Sequence, residues 1–257
     1  MISVKEYDRD RFDRSKRIEW IDIPEIQKKR CLVAGAGALG NETVKCLVLS
    51  GFRDITIADM DDVVTSNLNR CVFFREGDVR NGSKAEILAE RASELDNDVK
   101  ITARPTKVQN ITDWEEFDII MGCLDNINAR LHVNANACYF KIPYIDGGTD
   151  GMIGKVQTVL PGGPCLQCSM NRSHYNVMET RFSCTGSESV FYIPKMAAEI
   201  TTTSVVAAMQ TREAIKIASG HSNSCIRNIA YYDGMSGETA VMEIKKDEKC
   251  DNHIFEV

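Results

Sequence analysis

The segment CLVAGAGALGNE, residues 31–42, organises the rest of the chain. A short apolar run enters a G-x-G-x-x-G turn, and a helical pattern follows it. Gly35 permits the tight turn, Gly37 lets the backbone approach a phosphate, and Gly40 lets the new helix pack on the strand. The first N–H groups of that helix would face an anionic ligand. Because this turn suits NAD, FAD and ATP equally well, other residues must decide between them.

Composition excludes several classes of protein. The chain has 257 residues, 43% of them hydrophobic, which is enough for one large α/β domain or one domain with an insertion. A formal charge of −6 argues against general nucleic-acid binding. The sequence has no apolar run of about 18 residues that would predict a membrane span, and its charged N-terminus lacks the apolar core of a signal peptide. We therefore expect a cytoplasmic protein that binds neither membranes nor nucleic acids.

Strand and helix patterns alternate along the first part of the chain, which predicts a mostly parallel, doubly wound α/β sheet of the Rossmann type. After residue 150 the pattern changes to an antiparallel extension with one long helix and a closing hairpin around Asp233-Gly234. The predicted strands are 31–34, 54–58, 99–104, 117–123, 143–146, 155–160, 226–232 and 239–245. The predicted helices are 39–50, 83–95, 127–140 and 194–219.

Nothing in the sequence marks a linker or an internal repeat, so we treat residues 1–257 as one unit. Its parts are a charged helical arm at 5–30, a nucleotide-binding core at 31–150, an irregular segment at 169–192, and a helix, closing strands and tail at 194–257. Arg11, Arg14 and Arg17 would share one face of the arm, a spacing typical of a solvent-exposed helix.

Two short motifs predict a metal site. Ten cysteines are many for a cytoplasmic chain, where a disulfide framework is not expected. Cys165-x-x-Cys168 and Cys250-x-x-His253 supply three sulfurs and one imidazole, a set that suits a closed, structural tetrahedral Zn²⁺ site. The alternative is a redox C-x-x-C motif with an unrelated cysteine in the tail.

Charged residues near predicted strand ends favour ATP as the ligand. Asp59 and Asp61 follow the second strand, where a carboxylate can accept hydrogen bonds from a ribose. Arg70 and Lys84 lie on the next segments, and two cations facing the glycine turn suit a triphosphate better than a dinucleotide. Asp125 follows a later strand and can hold Mg²⁺. Each of these residues taken alone is commonly a surface charge.

Five segments together resemble the adenylation domain of ubiquitin-activating-type enzymes, which is shared with the bacterial adenylyltransferases of molybdopterin and thiamine synthesis. The resemblance extends from about Arg11 to His253. The segments are GAGALGNE (35–42), DMDDVVTSNLNR (59–70), GSKAE (82–86), LDNINAR (124–130) and CLQC (165–168). The D-x-D…N-L-N-R string followed by G-x-x-K-A is the most specific part, and ordinary dehydrogenases lack it.

The resemblance implies roles for matching residues. Asp59 would bind the ribose, and Asp125 would bind Mg²⁺. Arg14 resembles an arginine that reaches the γ-phosphate across a subunit interface, which implies a homodimer. Cys71 departs from the glutamine usual in the family. The residues implied to contact the ATP phosphates are Asn67, Arg70 and Lys84.

The implied reaction is adenylation of the C-terminal glycine carboxylate of a ubiquitin-like or sulfur-carrier protein ending in Gly-Gly. In ubiquitin-activating enzymes a Cys-Thr pair after the adenylation core carries the acyl group as a thioester, and Cys184 resembles that cysteine. Arg181 nearby would favour its thiolate. The short segment around it resembles the minimal homodimeric activating enzymes, such as that for the ubiquitin-fold modifier, which pass the acyl group to a conjugating enzyme.

Three interpretations therefore remain open. The first is an activating enzyme that forms a thioester on Cys184. The second is a sulfur-carrier adenylyltransferase, which shares the nucleotide and zinc residues without a thioester, so that Cys184 has no catalytic role. The third is an NAD-dependent dehydrogenase or a non-catalytic Rossmann module, against which the N-L-N-R and G-S-K-A segments count.

Overall fold

A computed structural model describes residues 10–170, 197–226 and 229–253. In this part of the chain eight strands form one sheet, in the order β3-β2-β1-β4-β5-β6-β7-β8. The five strands β1 to β5 are parallel to one another, and β6 to β8 continue the sheet in antiparallel fashion. The strands are β1 (Arg30–Ala34), β2 (Asp54–Ala58), β3 (Lys100–Arg104), β4 (Ile119–Gly122), β5 (Tyr144–Asp150), β6 (Ile153–Val159), β7 (Ile229–Asp233) and β8 (Glu238–Met242).

Apolar side chains alternate between the two faces of the sheet and build a core on each. One core contains Val33, Ile57 and Met121. The other contains Leu32, Ile120 and Tyr144. Because both faces are covered, the sheet is doubly wound, which confirms the predicted fold class. The helices are α1 (Ile23–Gln27), α2 (Ala38–Ser50), α3 (Lys84–Ser93), α4 (Ile127–Tyr139) and α5 (Ile200–Ala218).

The strand order reverses between β1 and β4, since the chain runs from β1 outward to β3 and then returns to pair β4 with β1. In open parallel sheets, ligands bind in the crevice at the carboxyl ends of the strands at such a reversal. The predicted hairpin at the C-terminal side is present as β7 and β8. None of the helices in the described residues is long and apolar enough to cross a membrane.

The predicted helical arm is wrong for the described part of the N-terminus. Residues 10–30 contain a 3-10 turn at Ser15–Arg17 and the short helix α1, joined by extended and turn conformations. Phe12 packs against the Cα of Gly51, where an added Cβ would lie 3.3 Å from the phenylalanine ring. The packing of Phe12 against Gly51 therefore determines the conformation of this segment, although the spacing of the arginines favours a helix. Arg11, Arg14 and Arg17 do not share one helix face.

Candidate functional site

The glycine turn between β1 and α2 has no room for side chains at two of its three glycines. Gly35 adopts a φ of +104°, and a Cβ there would lie 2.4 Å from the carbonyl oxygen of Cys123. A Cβ on Gly40 would lie 2.0 Å from the carbonyl oxygen of Gly35. Both contacts are with backbone atoms, so a larger residue would displace the turn or the start of α2.

Gly37 differs from the other two because open space surrounds it. It forms the N-cap of α2, and an added Cβ would have nothing within 4 Å. The N–H groups of the first turn of α2 have no carbonyl acceptor within the helix. A phosphate can therefore approach the backbone at Gly37 and accept from these N–H groups.

A cleft of about 450 Å³ opens at the carboxyl ends of three parallel strands. Its wall includes three of the predicted site residues, Asp59, Asp61 and Asp125. The loop 106–109 after β3 also lines the cleft, although this loop contains no recognisable motif. The carboxyl ends of parallel strands meet at one edge of the sheet, so the loop after β3 could have been predicted to lie beside the loops after β2 and β4. The remaining wall residues are Ala58, Met60, Leu124, Asn126 and Ala129.

Asp59 is fixed to the glycine turn by backbone hydrogen bonds. The N–H of Ala36 donates to its Oδ2 at 2.7 Å, and the N–H of Asp61 donates to its Oδ1 at 2.8 Å. Burial raises the pKa of the Asp59 carboxyl above its ordinary value, and these two hydrogen bonds act in the opposite direction. The carboxylate is thereby held at the cleft wall, with lone pairs left to accept from a ligand hydroxyl.

Lys84 does not line the cleft itself, but its side chain contacts Asp61, which does. Its Nζ donates to Oδ2 of Asp61 at 2.8 Å, and its backbone N–H donates to the carbonyl of the same residue at 2.9 Å. Lys84 is 9% exposed, whereas Asp61 is exposed. The first residue of α3 is therefore bound to the loop after β2, and its ammonium group is directed toward the cleft side of that loop.

Asn67 and Arg70 belong to the loop that joins β2 to α3. Oδ1 of the buried Asn67 accepts from the N–H of Val64 at 3.0 Å. The guanidinium of Arg70 donates to the carbonyl of Ser66 and to Oδ1 of Asn69. Neither residue is part of the cleft wall, so the structure brings them next to the predicted site without placing them in it.

Cys71, at the position where the resemblance described above implies glutamine, is buried in the same loop. Burial raises the pKa of its thiol to about 11, against the opposing fields of Arg70 and Lys84. The thiol is therefore protonated at neutral pH. Cys71 adds a small neutral group beside these cations.

Asn41 belongs to the segment GAGALGNE (35–42), but its sequence position alone predicts no function for it. Its fully buried amide nitrogen donates to the carbonyls of Ala36 at 2.9 Å and Gly37 at 3.1 Å. Its Oδ1 accepts from the N–H of Phe73 at 3.1 Å. Asn41 thus ties the glycine turn to the end of the loop that carries Arg70. A polar residue at a position of the predicted helix that faces the core could have indicated this role from the sequence.

The turn after β4 is also held in place by hydrogen bonds. Asp125 is exposed, and the next residue caps α4. The guanidinium of Arg130 donates through Nε to the carbonyl of Leu124 at 2.9 Å and through Nη2 to the carbonyl of Gly147 at 2.7 Å. It also pairs with the buried Asp146 at 3.2 Å. Arg130 therefore connects the Asp125 turn to β5, a role that sequence reasoning missed.

Arg14 is exposed, and it is not one of the residues that line the cleft of its own chain. Its neighbour Arg11 donates to the carbonyl of Leu95 at 2.7 Å and pairs with Asp96 at 2.8 Å. These contacts hold the N-terminal segment against the loop that follows α3. Cys184, the predicted thioester cysteine, lies outside the described residues.

The four predicted metal ligands meet in one cluster, with all ligand atoms within 4.8 Å of one another. The Sγ atom of Cys165 lies 3.8 Å from that of Cys168 and 3.7 Å from that of Cys250. Tetrahedral Zn²⁺ with Zn–S bonds of about 2.3 Å separates its sulfurs by about 3.8 Å. Nε2 of His253 lies 3.1 Å from Sγ of Cys168. The donor set and its spacing therefore fit a four-coordinate metal ion such as zinc.

Comparison with known proteins agrees with this architecture. SUMO-activating enzyme subunit 2 of Dictyostelium discoideum is 39% identical over 149 residues, which cover 56% of this chain and 22% of that protein. The NEDD8-activating enzyme E1 catalytic subunit of Arabidopsis thaliana is 39% identical over 157 residues, covering 55% of this chain and 34% of the relative. This chain spans between 22% and 42% of the length of the curated relatives that it matches.

Among solved structures, E. coli MccB with ATP superposes with a TM-score of 0.75 at 18% identity, covering 96% of this chain and 74% of that one. Microcin C7 biosynthetic enzyme MccB in complex with N-formylated MccA gives a TM-score of 0.76 at 18% identity, with 97% and 76% covered. These structures share the fold. Residues 17–252, nearly the whole chain, match the ThiF family. The protein is thus a member of the ThiF family, which confirms the resemblance to ubiquitin-activating-type adenylating enzymes.

Proposed function

We propose that this protein uses ATP to adenylate the C-terminal glycine carboxylate of a ubiquitin-like or sulfur-carrier protein. The observation that carries the proposal is the glycine turn hydrogen-bonded to Asp59 at the edge of a cleft whose wall also bears Asp125. Family membership supports it, as do relatives named for the activation of SUMO and NEDD8.

Each part of the cleft suits one part of ATP. Asp59 accepts hydrogen bonds from the ribose hydroxyls. The backbone at Gly37 and the first N–H groups of α2 hold a phosphate, and the cations of the loop after β2 compensate its charge. The proposed phosphate contacts are Asn67, Arg70 and Lys84, with Asp61 releasing Lys84 to the nucleotide. Asp125 is suited to bind Mg²⁺, which would neutralise phosphate charge.

The chemical step is an in-line displacement. A carboxylate oxygen of the C-terminal glycine attacks the α-phosphorus, and the bond from that phosphorus to the bridging oxygen of pyrophosphate breaks. The electron pair leaves with pyrophosphate, and the products are an acyl-adenylate and pyrophosphate. The protein contributes orientation and charge stabilisation at this step, without a covalent intermediate.

The Cys/His cluster serves as a structural zinc site in this proposal. Four protein ligands leave no position for a substrate, which is the arrangement of closed zinc centres. Cys165 and Cys168 come from the segment after β6, and Cys250 and His253 come from the C-terminal tail, so an ion held by all four would join these two segments.

Two further features complete the proposed mechanism. Cys184 receives the acyl group as a thioester, with AMP as the leaving group, and a conjugating enzyme then takes it. In a homodimer, Arg14 contacts the γ-phosphate of the ATP that is bound in the cleft of the partner subunit. Arg14 does not line the cleft of its own chain, which is consistent with this role.

Pyrophosphate exchange tests the proposal. The protein is incubated with ATP, Mg²⁺, labelled pyrophosphate and a panel of ubiquitin-like and sulfur-carrier proteins ending in Gly-Gly. We expect carrier-dependent exchange of label into ATP, which Asp59→Ala abolishes. An Asp54→Ala variant at the opposite edge of the sheet should retain it. Tight NAD binding without exchange for any carrier would contradict the proposal.

A non-reducing gel then separates the two adenylating interpretations. A thiol-sensitive adduct that is lost in Cys184→Ala supports thioester formation. Exchange without such an adduct indicates a sulfur-carrier adenylyltransferase, for which the Cys184→Ala variant remains fully active.

A further inference from the structure

Lys155 of β6 is a half-buried cation that the nucleotide chemistry above does not use. Within the described residues, its ammonium group has no hydrogen-bond acceptor and no ion-pair partner at contact distance. Burial lowers the pKa of this lysine, while the nearby carboxylate of Asp146 acts in the opposite direction. A cation kept from full hydration in this way gains more from an anionic ligand than a surface lysine does.

The strand register places Lys155 next to Arg130. Lys155 lies directly opposite Gly148 of β5. A Cβ on Gly148 would lie 2.4 Å from Nη2 of Arg130, so the guanidinium covers this glycine. Residues directly opposite each other in an antiparallel pair share a face of the sheet. The side chain of Lys155 therefore emerges beside the Arg130 guanidinium.

The carboxylate of Asp146, which lies near both cations, already accepts hydrogen bonds from other residues. Asp146 accepts from Nη1 of Arg130 at 3.2 Å and from the hydroxyl of the buried Tyr144 at 2.9 Å. Arg130 in turn is bound to the carbonyls of Leu124 and Gly147. Arg130 and Asp146 thus have a structural task, whereas Lys155 remains available for a ligand.

Lys155 is not one of the residues that line the cleft, but the strand register places it near the edge of the sheet where the cleft opens. Gly122, the last residue of β4, pairs with Asp146, and Gly148 lies two residues farther along β5. Gly148 and Lys155 are thus level with the turn that carries Leu124 and Asp125. Two strand spacings of about 4.8 Å separate β4 from β6. The Arg130 guanidinium spans this gap from Leu124 to Gly148, and Lys155 lies beside it on the β6 side.

We propose that the ammonium group of Lys155 binds the C-terminal carboxylate of the substrate protein before this carboxylate attacks the α-phosphorus. This assignment rests on the function proposed above. An anionic nucleophile must approach a polyanionic nucleotide, and a cation on its own side of the cleft reduces that repulsion. After the attack the carboxylate has become a neutral acyl group, so the ion pair no longer holds the product. Lys155 is thus a substrate-binding residue that selects a free C-terminal carboxylate.

Exchange kinetics test this role. With saturating ATP and Mg²⁺ and a carrier that supports exchange in the wild-type protein, we expect Lys155→Met to raise KM for the carrier about 30-fold, or about 2 kcal/mol. KM for ATP should change less than twofold. Lys155→Arg, which keeps the charge, should recover most of the loss. Lys100→Met, a largely exposed lysine at the opposite edge of the sheet, serves as the control.

A binding measurement separates charge recognition from a fold defect. The same carrier is prepared with a C-terminal carboxylate and with a C-terminal amide, and each is titrated in fluorescence anisotropy with a non-hydrolysable ATP analogue. The wild-type protein should favour the carboxylate about 30-fold, and Lys155→Met should lose this preference while retaining the circular dichroism spectrum of the wild type. Wild-type exchange with an unchanged carrier KM in Lys155→Met would overturn the role of Lys155 alone. Absence of exchange in the wild type would overturn the proposed function and this role with it.

Discussion

Two regions of the molecule hold distant residues together in different ways. The cleft edge is formed by the glycine turn 35–40 and Asp59, and the metal corner is formed by the four Cys/His ligands. At the cleft edge, sheet pairing and hydrogen bonds from buried residues such as Asn41 fix the backbone without any ligand. At the metal corner, the ligands lie on or beside short 3-10 turns at Gln167–Ser169 and Asp251–His253. The first region depends on close packing, whereas the second depends, in the function proposed above, on a bound zinc ion. We therefore expect the two regions to be destabilised by different perturbations.

Adding a single methyl group should disrupt the cleft edge most. We expect Gly40→Ala to lower the free energy of unfolding by about 3 kcal/mol, because its Cβ would lie 2.0 Å from a carbonyl oxygen. Gly37→Ala is the matched control, since its Cβ meets open space and should leave the melting temperature nearly unchanged while raising KM for ATP. Urea unfolding and exchange kinetics of both variants check the pair. Equal stabilities would show that the turn relaxes easily.

Metal removal should act on the other region. Relative to the protein at a free zinc concentration 100-fold above the dissociation constant, chelation of zinc or Cys250→Ser should lower the free energy of unfolding by about 2.7 kcal/mol. Hydrogen exchange should accelerate in residues 165–170 and 247–253 and remain slow in β1. Cys46→Ser, which changes a half-buried cysteine outside the cluster, should leave exchange at the metal corner unchanged. Unaltered protection of the tail in metal-free protein would contradict the structural role of the ion.

The contrast also explains what the sequence could predict. The strands of the parallel half have continuous apolar runs, and the ligand pairs have short fixed spacings, so both signals are local. Asn41 and Arg130 could not be assigned because their partners lie 32 and 17 residues away, at Phe73 and Gly147. The N-terminal arm was predicted wrongly since Phe12 docks on Gly51, a contact that no local periodicity encodes. Lys155 was part of an alternating strand pattern, and only its register beside Gly148 revealed its position.

Arg14 extends the comparison from one chain to two. Arg14→Ala should reduce kcat for pyrophosphate exchange about 30-fold, or about 2 kcal/mol, with little effect on folding. If the arginine acts across a dimer interface, an equal mixture of Arg14→Ala and Asp125→Ala chains should recover about a quarter of the wild-type rate, because half of the dimers are mixed and each has one complete site. Arg14→Lys, which keeps the charge, should retain part of the rate. No recovery in the mixture, or unchanged exchange in Arg14→Ala, would exclude action in trans.

The smallest expected effect distinguishes the two regions by pH. The folded protein raises the pKa of the Cys71 thiol from 9.0 to about 11, so at pH values between these two the folded state binds more protons than the unfolded state. The stabilisation is complete below pH 9 and is lost as the pH rises toward 11, which amounts to about 1 kcal/mol between pH 8 and pH 10. The metal corner should respond in the opposite direction, since protons compete with the metal for thiolate and imidazole as the pH falls. Urea unfolding at pH 8 and pH 10 should therefore show a steeper loss for the wild type than for Cys71→Ala. Equal losses would mean that the Cys71 thiol ionises without disturbing the cleft edge.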